Sequence, residues 1–289
     1  MSAKRVLLIG ATGFTGRRLY HTLKDKADVT CFVRQTSDVS GLGSDVKLVY
    51  GDLSDIDALK AAMHDMEELI YAAPLEGGHG ENAVQAAEAS GIGRAIFIST
   101  TGILTTLDPK LKEKRFAVEK AIQDSSLSWT IIRPTMIYGR AGDRNMERLV
   151  RWLKKYPVFF MPGGGKCLQQ PVHVDDLVDG IMRAWSKKIA RKKIYTMSGK
   201  ESEPLVDVVK TIAGKLHRKV WAISVPIMPF VLMLRFYERF TYNSKLKADQ
   251  IQRLSEDKAF DHDLAKEDLG FKPRTFAEGI DILIKELAV

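Results

Sequence analysis

Cysteine is scarce in this chain: Cys31 and Cys167 are the only two among 289 residues. They stand far apart and without metal-ligand spacing. Neither a disulfide framework nor a zinc site is implied, and a reducing compartment, the cytoplasm, is expected. Long uninterrupted apolar runs are lacking as well. The longest, residues 220–234, falls short of the roughly 20 residues of a membrane-spanning helix and is broken by Pro226 and Pro229. It reads as a strand and a buried helix. Arg235, Arg239, Lys245 and Lys247 follow it, interleaved with Phe236, Tyr237, Phe240 and Tyr242. A peripheral membrane or protein contact through residues 220–242 therefore stays open. The first strand signal begins too early to leave room for a secretory leader, and no internal repeat or low-complexity segment is visible. Asp175 and Asp176 have no further ligand at metal spacing, so no metal is expected. The net charge of +8 suits an anionic ligand. The basic residues are scattered and form no recognition motif, however, so no nucleic-acid partner is expected.

What the chain does have is a strand that runs straight into spaced glycines. In KRVLLIGATGFTGRR, residues 6–9 are apolar and glycines stand at 10, 13 and 16. A dinucleotide pyrophosphate needs a tight turn, a backbone it can approach and the positive end of a helix, in that order. Gly10 supplies the turn, Gly13 the clearance, and Gly16 the close packing of the helix on the sheet. A glycine triplet gains meaning only from context. Here a strand precedes it, a helix with Leu19 and Leu23 on one face follows, and a second β-rich run stands at 29–33.

The alternation continues. Strands are expected at 6–9, 29–33, 46–50, 68–72, 95–99 and 129–133, and helices at 16–23, 56–63, 81–89 and 112–123. Beyond residue 139 helices are expected at 145–154, 174–186, 204–216, 264–268 and 275–287, with loops at 162–166 and 187–193. The fold class is α/β: a Rossmann-type doubly wound parallel sheet with a small C-terminal substrate lobe. Residues 1–139 would form the dinucleotide-binding core. Residues 140–289 would form a mixed region that returns segments to the sheet and builds the lobe. The run GGGK at 163–166 lacks the leading glycine and the following Ser or Thr of a phosphate loop, and reads as a flexible loop at the mouth of the site.

Six segments in order, GATGFTG (10–16), GDLSD (51–55), YAAP (71–74), FISTTG (97–102), IIRPTMIYG (131–139) and PVHVDDLVDGI (171–181), give the chain a resemblance to the short-chain dehydrogenase/reductase superfamily. The likeness is to its extended and atypical branches, which include sugar-nucleotide epimerases and NmrA-like proteins. It spans nearly the whole chain. The resemblance implies that Gly10, Thr12, Gly13, Phe14, Thr15, Gly16 and Arg17 surround the dinucleotide phosphates. Asp52 would accept from the adenine amino group and Leu53 would flank the ring, although GDLSD also reads as a turn. Ala72, Ala73 and Pro74 would lie against ribose and nicotinamide, and Pro134, Thr135 and Ile137 would line the carboxamide. Ser99 and Lys120 would complete the cofactor set.

The end of the second strand, where an NAD-preferring site usually carries Asp or Glu, offers Arg34 instead, and Asp38 lies four residues on. With Arg17 nearby, a planar guanidinium suits a 2′-phosphate. NADP(H) is the expected cofactor, with NAD(H) as the alternative.

The family's catalytic Tyr-x-x-x-Lys pair aligns with Phe116-Ala-Val-Glu-Lys120. Phenylalanine has no proton to transfer. Lys120, Ser99 and Thr100 remain as catalytic candidates, and Lys120 reads equally as a solvated helix residue beside Glu119. Three readings follow. Tyr71, Ser99, Thr100, Thr101, Tyr138 or His173 substitutes for the tyrosine. Alternatively a polarised alkene or imine is reduced with a proton from water or substrate. Or the dinucleotide is bound without turnover, in a sensor, scaffold or assembly protein. His173 reads as structural, beside a helix start at Val174 that an aspartate would cap. The leading expectation is an NADP(H)-dependent oxidoreductase acting on a small organic substrate, as monomer or homodimer.

Overall fold

The computed structural model describes residues 3–105, 109–226, 228–229, 236–237 and 256–288. Seven strands form one parallel sheet: β1 (Arg5–Ile9), β2 (Asp28–Val33), β3 (Lys47–Tyr50), β4 (Glu68–Tyr71), β5 (Arg94–Ile98), β6 (Trp129–Pro134) and, past the short strands described below, β11 (Lys193–Met197). Their spatial order is β11-β6-β5-β4-β1-β2-β3. The chain starts at β1, winds outward to β3, then crosses back to β4 and winds the other way. The reversal point therefore lies between β1 and β4, where Val6 pairs with Glu68 and Ile9 with Tyr71. In open α/β sheets ligands collect in the crevice outside the strand ends at such a point.

Alternation along each strand buries both sheet faces. Val6 and Leu8 join one core with Leu19 and Leu23 of helix α1 (Phe14–Leu23) and Leu177 and Ile181 of α6 (Val174–Ser186). Leu7 and Ile9 point the opposite way, into a second core with α2 (Ile56–Met63), α3 (His79–Ala89) and α4 (Pro109–Asp124). Near-continuous apolar strands with helices on both faces are what a buried parallel sheet requires. The helices expected in the first half are all present, and β11 is an addition from the stretch where only a loop end at 193 was expected. It pairs with β6 from Lys193 opposite Thr130 to Met197 opposite Pro134.

The C-terminal lobe has its own core, built by α5 (Met146–Lys155), α7 (Leu205–Lys215) and the last helix, α9 (Phe276–Glu286), around Met146, Val150, Leu153, Val208, Ile212, Ile280 and Leu283. Helix α8 (Asp263–Leu269) instead packs on the sheet through Ala265 and Leu269. Short strand pairs fill the lobe: β7 (Ile137–Tyr138) with β10 (Val172–His173), β9 (Leu168–Gln169) with β12 (Glu203–Pro204), and β8 (Val158–Pro162) with β13 (Trp221–Val225). An ion pair of Arg18 with Asp175, 3.3 Å apart, ties α1 to α6.

The strand expected in 220–234 is β13, and it is exposed, Trp221 at 73%. The helix expected after it falls largely outside the described residues. Among those residues, no helix is long and apolar enough to cross a membrane. Residues 163–166 were expected as a flexible loop. Residues 163–165 make a tight turn packed on α7, and a Cβ on Gly165 would stand 2.6 Å from the Met161 sulfur and 3.1 Å from the Val206 nitrogen.

Candidate functional site

The glycine turn sits at the reversal point. Gly10 has a φ of +88°, and a Cβ there would lie 2.7 Å from the Ala72 carbonyl carbon and the Ala73 nitrogen, so β1 turns against the end of β4 with no side-chain space between them. Gly13 N donates to Gly10 O at 3.0 Å and closes the turn. A Cβ on Gly16 would reach 1.9 Å from Gly10 O, so only glycine lets α1 descend onto the turn. Helix α1 starts with no side-chain cap and no acidic residue in its first turn. The amides of Phe14, Thr15 and Gly16 are the unpaired donors of a helix start, at its positive end. Helix α2 differs: Asp55 Oδ1 accepts from Asp57 N and Ala58 N, each at 3.0 Å. An open helix end beside exposed Gly13 and half-buried Thr12 fits a pyrophosphate.

Toward β2 and β3, Arg17 lies against Gly41, where a Cβ would meet its guanidinium carbon at 2.5 Å. The Asp38 carboxylate is taken by Ser40, accepting from its hydroxyl at 2.6 Å and its amide at 3.0 Å. Those bonds, with Arg17 adding a smaller pull, hold its pKa below the usual range. Arg34 is exposed and near enough to Asp52 to help lower that carboxyl's pKa. Among the described residues neither Arg17 nor Arg34 forms an ion pair. Asp52 makes the turn that GDLSD suggested, accepting from the Ser54 hydroxyl at 2.6 Å and amide at 2.8 Å, the main causes of its lowered pKa. Leu53 packs on the core beside it, and its carbonyl accepts from Asn82 Nδ2 at 3.0 Å.

From the turn a cavity of about 300 Å³ runs along the carboxyl edge of the sheet. Thr15, Ala72, Ala73, Pro74, Ser99, Thr100 and Ile137 line it, brought together from α1 and the ends of β4, β5 and β7. Pro134 and Thr135 do not reach it. Both are buried, the Pro134 carbonyl accepting from Thr101 Oγ1 at 3.2 Å and Thr135 Oγ1 donating to Gln170 O at 2.6 Å. Thr100 Oγ1 accepts from Gly102 N at 3.0 Å, which leaves its hydroxyl proton available. Ser99 Oγ donates to Glu119 Oε1 at 2.5 Å.

Helix α4 corrects the expected Phe116 and Lys120 pair. Phe116 is 42% exposed, with Lys112 Nζ 5.8 Å from its ring centroid. Lys120 has 75% of its side chain exposed and pairs with Asp124 at 2.8 Å, so it stands away from the cleft as a solvated helix residue. The rotation of α4 is set by Val118 and Ile122, which enter the core. At 100° per residue their side of the helix carries residues 115 and 119. Arg115 lines the cavity and donates from Nε to Glu76 Oε1 at 2.8 Å. Glu119 has no exposed surface, and Arg133 Nε lies 3.1 Å from each of its carboxylate oxygens. Arg115 thus lines the cleft, and Glu119, one turn on, lies buried behind it and touches the cleft only through Ser99. Sequence reasoning passed over both as site residues, with Glu76 and Arg133. The available signal was the apolar spacing of 118 and 122.

The other proton-transfer candidates are committed to structure. Tyr71 is buried and donates to Pro74 O at 3.0 Å, and Tyr138 is buried and donates to Phe276 O at 3.3 Å. Burial raises both phenols well above their ordinary range. His173 Nδ1 accepts from Asp175 N at 3.2 Å, which assigns the ring proton to Nε2, facing Gly139 O at 3.1 Å. Burial, with the Arg274 charge adding, lowers its pKa to about 4. The cap of α6 is therefore this neutral histidine and not an aspartate. Asp175 pairs with Arg140 at 2.6 Å and Asp176 with Arg274 at 2.7 Å.

A model of NAD(P)H-binding domains matches residues 10–150. The chain is 26% identical to UDP-glucose 4-epimerase of Vibrio cholerae over 319 aligned residues, covering 96% of this chain and 93% of that protein. Among solved structures, gox2253 superposes with a TM-score of 0.81 at 20% identity, over 99% of this chain and 98% of that one. MoeE5 in complex with UDP-glucuronic acid and NAD gives 0.76 at 19% identity, over 98% and 99%. Residues 10–150 thus match an NAD(P)H-binding domain, and the chain as a whole is similar to epimerases of the extended short-chain dehydrogenase/reductase type.

Proposed function

We propose that this chain is an NADP(H)-dependent oxidoreductase whose small organic substrate sits between the carboxyl edge of the sheet and the C-terminal lobe. The observation that carries the reading is the meeting, at the β1/β4 reversal, of an uncapped α1 with a cavity lined by Ala72, Ala73, Ser99 and Thr100. Gly10, Thr12, Gly13, Phe14, Thr15 and Gly16 would hold the pyrophosphate, and Asp52 and Leu53 the adenine end. Ala72 to Pro74 would take the nicotinamide end. The nicotinamide, when bound, supplies or accepts a hydride.

Arg17 and Arg34 support the preference for NADP(H): two guanidinium groups stand beyond β2, and the nearest carboxylate downstream, Asp38, is occupied by Ser40. The chain's own groups in the cleft orient substrate rather than exchange protons through a phenol. Thr100 Oγ1 has a proton to offer a substrate oxygen, and the same wall carries Arg115 as an ion pair with Glu76. Ser99 is held by Glu119. This arrangement suits a polarised acceptor that takes its proton from water or from itself.

The test has two parts. Nicotinamide fluorescence follows NADPH and NADH titrations of the wild type and Arg34→Ala, and product formation is scored over carbonyl, alkene and quinone acceptors. The reading expects NADPH to bind more tightly than NADH, a selective loss in Arg34→Ala of roughly tenfold, and transfer to at least one acceptor class. Equal affinities unaffected by the substitution would contradict the cofactor assignment, and tight binding without transfer to any acceptor would contradict turnover.

A further inference from the structure

The lobe holds a second cavity, of about 480 Å³, between α5, β8 and α7, a size that suits an organic ligand. Its walls include Met136, Leu149, Phe159 and Leu205, and its uncharged polar lining is Asn145 and Gln169. Met136 lines this cavity and the next residue, Ile137, lines the cofactor cleft, so one short segment separates the two spaces.

Two features select the occupant. Arg144 and Arg148 are exposed on this cavity's lining and, among the described residues, form no ion pair. No carboxylate is among the described residues that line it. At the same place large apolar side chains reach solvent: Phe160 at 56% and Trp152 at 45%, both on the lining, with Trp221 at 73% on β13, the strand paired to β8. Exposed apolar surface next to unpaired cations is unfavourable to leave open and complements a ligand that is apolar along its length and anionic at one point.

We propose that this cavity binds an anionic amphiphile, a long-chain phosphate or diphosphate, with its chain against Phe159, Phe160 and Trp152 and its charged group on Arg144 and Arg148. That the ligand is the substrate, its far end reaching past Met136 and Ile137 to the cleft, rests on the oxidoreductase reading. That it binds does not.

Calorimetry on the full chain, with farnesyl diphosphate below its micelle concentration, tests the proposal against farnesol, inorganic diphosphate and UDP. The expected result is a Kd for farnesyl diphosphate in the micromolar range, with each of the other three binding at least about tenfold more weakly because it lacks the anion or the chain. The double variant Arg144→Glu/Arg148→Glu, and separately Phe160→Glu, each weaken farnesyl diphosphate by about tenfold or more while thermal midpoint and NADPH affinity stay as in the wild type. Absence of farnesyl diphosphate binding, equal binding of UDP or inorganic diphosphate, or full retention in the variants overturns it. NADPH is titrated in the same preparations, so loss of the cofactor reading shows separately from loss of this one.

Discussion

Glu119 of α4 and Arg133 of β6 form a two-pronged ion pair beneath the carboxyl edge of the sheet, with Arg133 Nε 3.1 Å from both carboxylate oxygens and Glu119 wholly buried. The same carboxylate receives the Ser99 hydroxyl, so the pair fixes the floor of the cleft. Removing one member of a buried pair leaves the other charge without compensation. Glu119→Ala is expected to lower unfolding free energy by about 3 kcal/mol, the lower end of the range for buried pairs because Arg133 keeps some solvent contact. Glu119→Gln, which still accepts from Ser99 and Arg133, loses less. Urea denaturation reads both, and an unchanged midpoint in Glu119→Ala would contradict the description.

Restoring the family's tyrosine at its aligned position does not restore its chemistry. In Phe116→Tyr the phenol enters solvent and titrates near the ordinary value of about 10, as followed by ultraviolet difference absorbance, and NADPH affinity is unchanged. Lys120→Ala, which removes only the solvated pair with Asp124, likewise leaves NADPH affinity and thermal midpoint as they were. A fall in NADPH affinity with Lys120→Ala would return that lysine to the cofactor site.

His173 makes stability depend on pH. Its pKa falls from 6.5 unfolded to about 4 folded, so between those values the unfolded chain binds more protons and stability rises with pH. The contribution is fully present above about pH 6.5 and is lost as pH falls toward 4, amounting to on the order of 3 kcal/mol. Arg274 opposes protonation; Asp175 and Asp176 favour it and set the depth of the shift. Denaturation midpoints at pH 7 and pH 5 should converge between wild type and His173→Gln as pH falls. Parallel curves would remove His173 from the account.

The sequence spoke clearly where structure is local. Strand β1, the glycine turn and α1 were legible because an apolar run, three glycines and a helical face follow one another within twenty residues. Strands β7, β9, β10 and β12, two residues each, carry too little periodicity to register. Strand β11 hid behind a charged flank, because Arg191 and Lys192 precede it and Lys193 opens it. The site-facing side of α4 was misread by one position. Lys112, Glu113, Lys114 and Arg115 give that helix no apolar contrast at its start, and a one-residue error rotates the assigned face by 100°. Glu119 reads from the sequence only as a solvated neighbour of Lys120, because a charged residue is ordinarily placed at the surface; its burial depends on Arg133, whose approach comes from a distant strand.

The most direct measurement of the central claim, that the open end of α1 over the glycine turn receives a dinucleotide, is a calorimetric titration of NADPH into the wild type and Gly13→Glu. Gly13 is exposed and a Cβ there would stand 3.3 Å from Gly10 O, so the substitution places a carboxylate at the helix end and asks the turn to give by only a few tenths of an ångström. The account predicts a wild-type thermal midpoint and a loss of NADPH affinity of roughly a hundredfold or more. Undiminished binding in a folded Gly13→Glu would place the nucleotide elsewhere and contradict it.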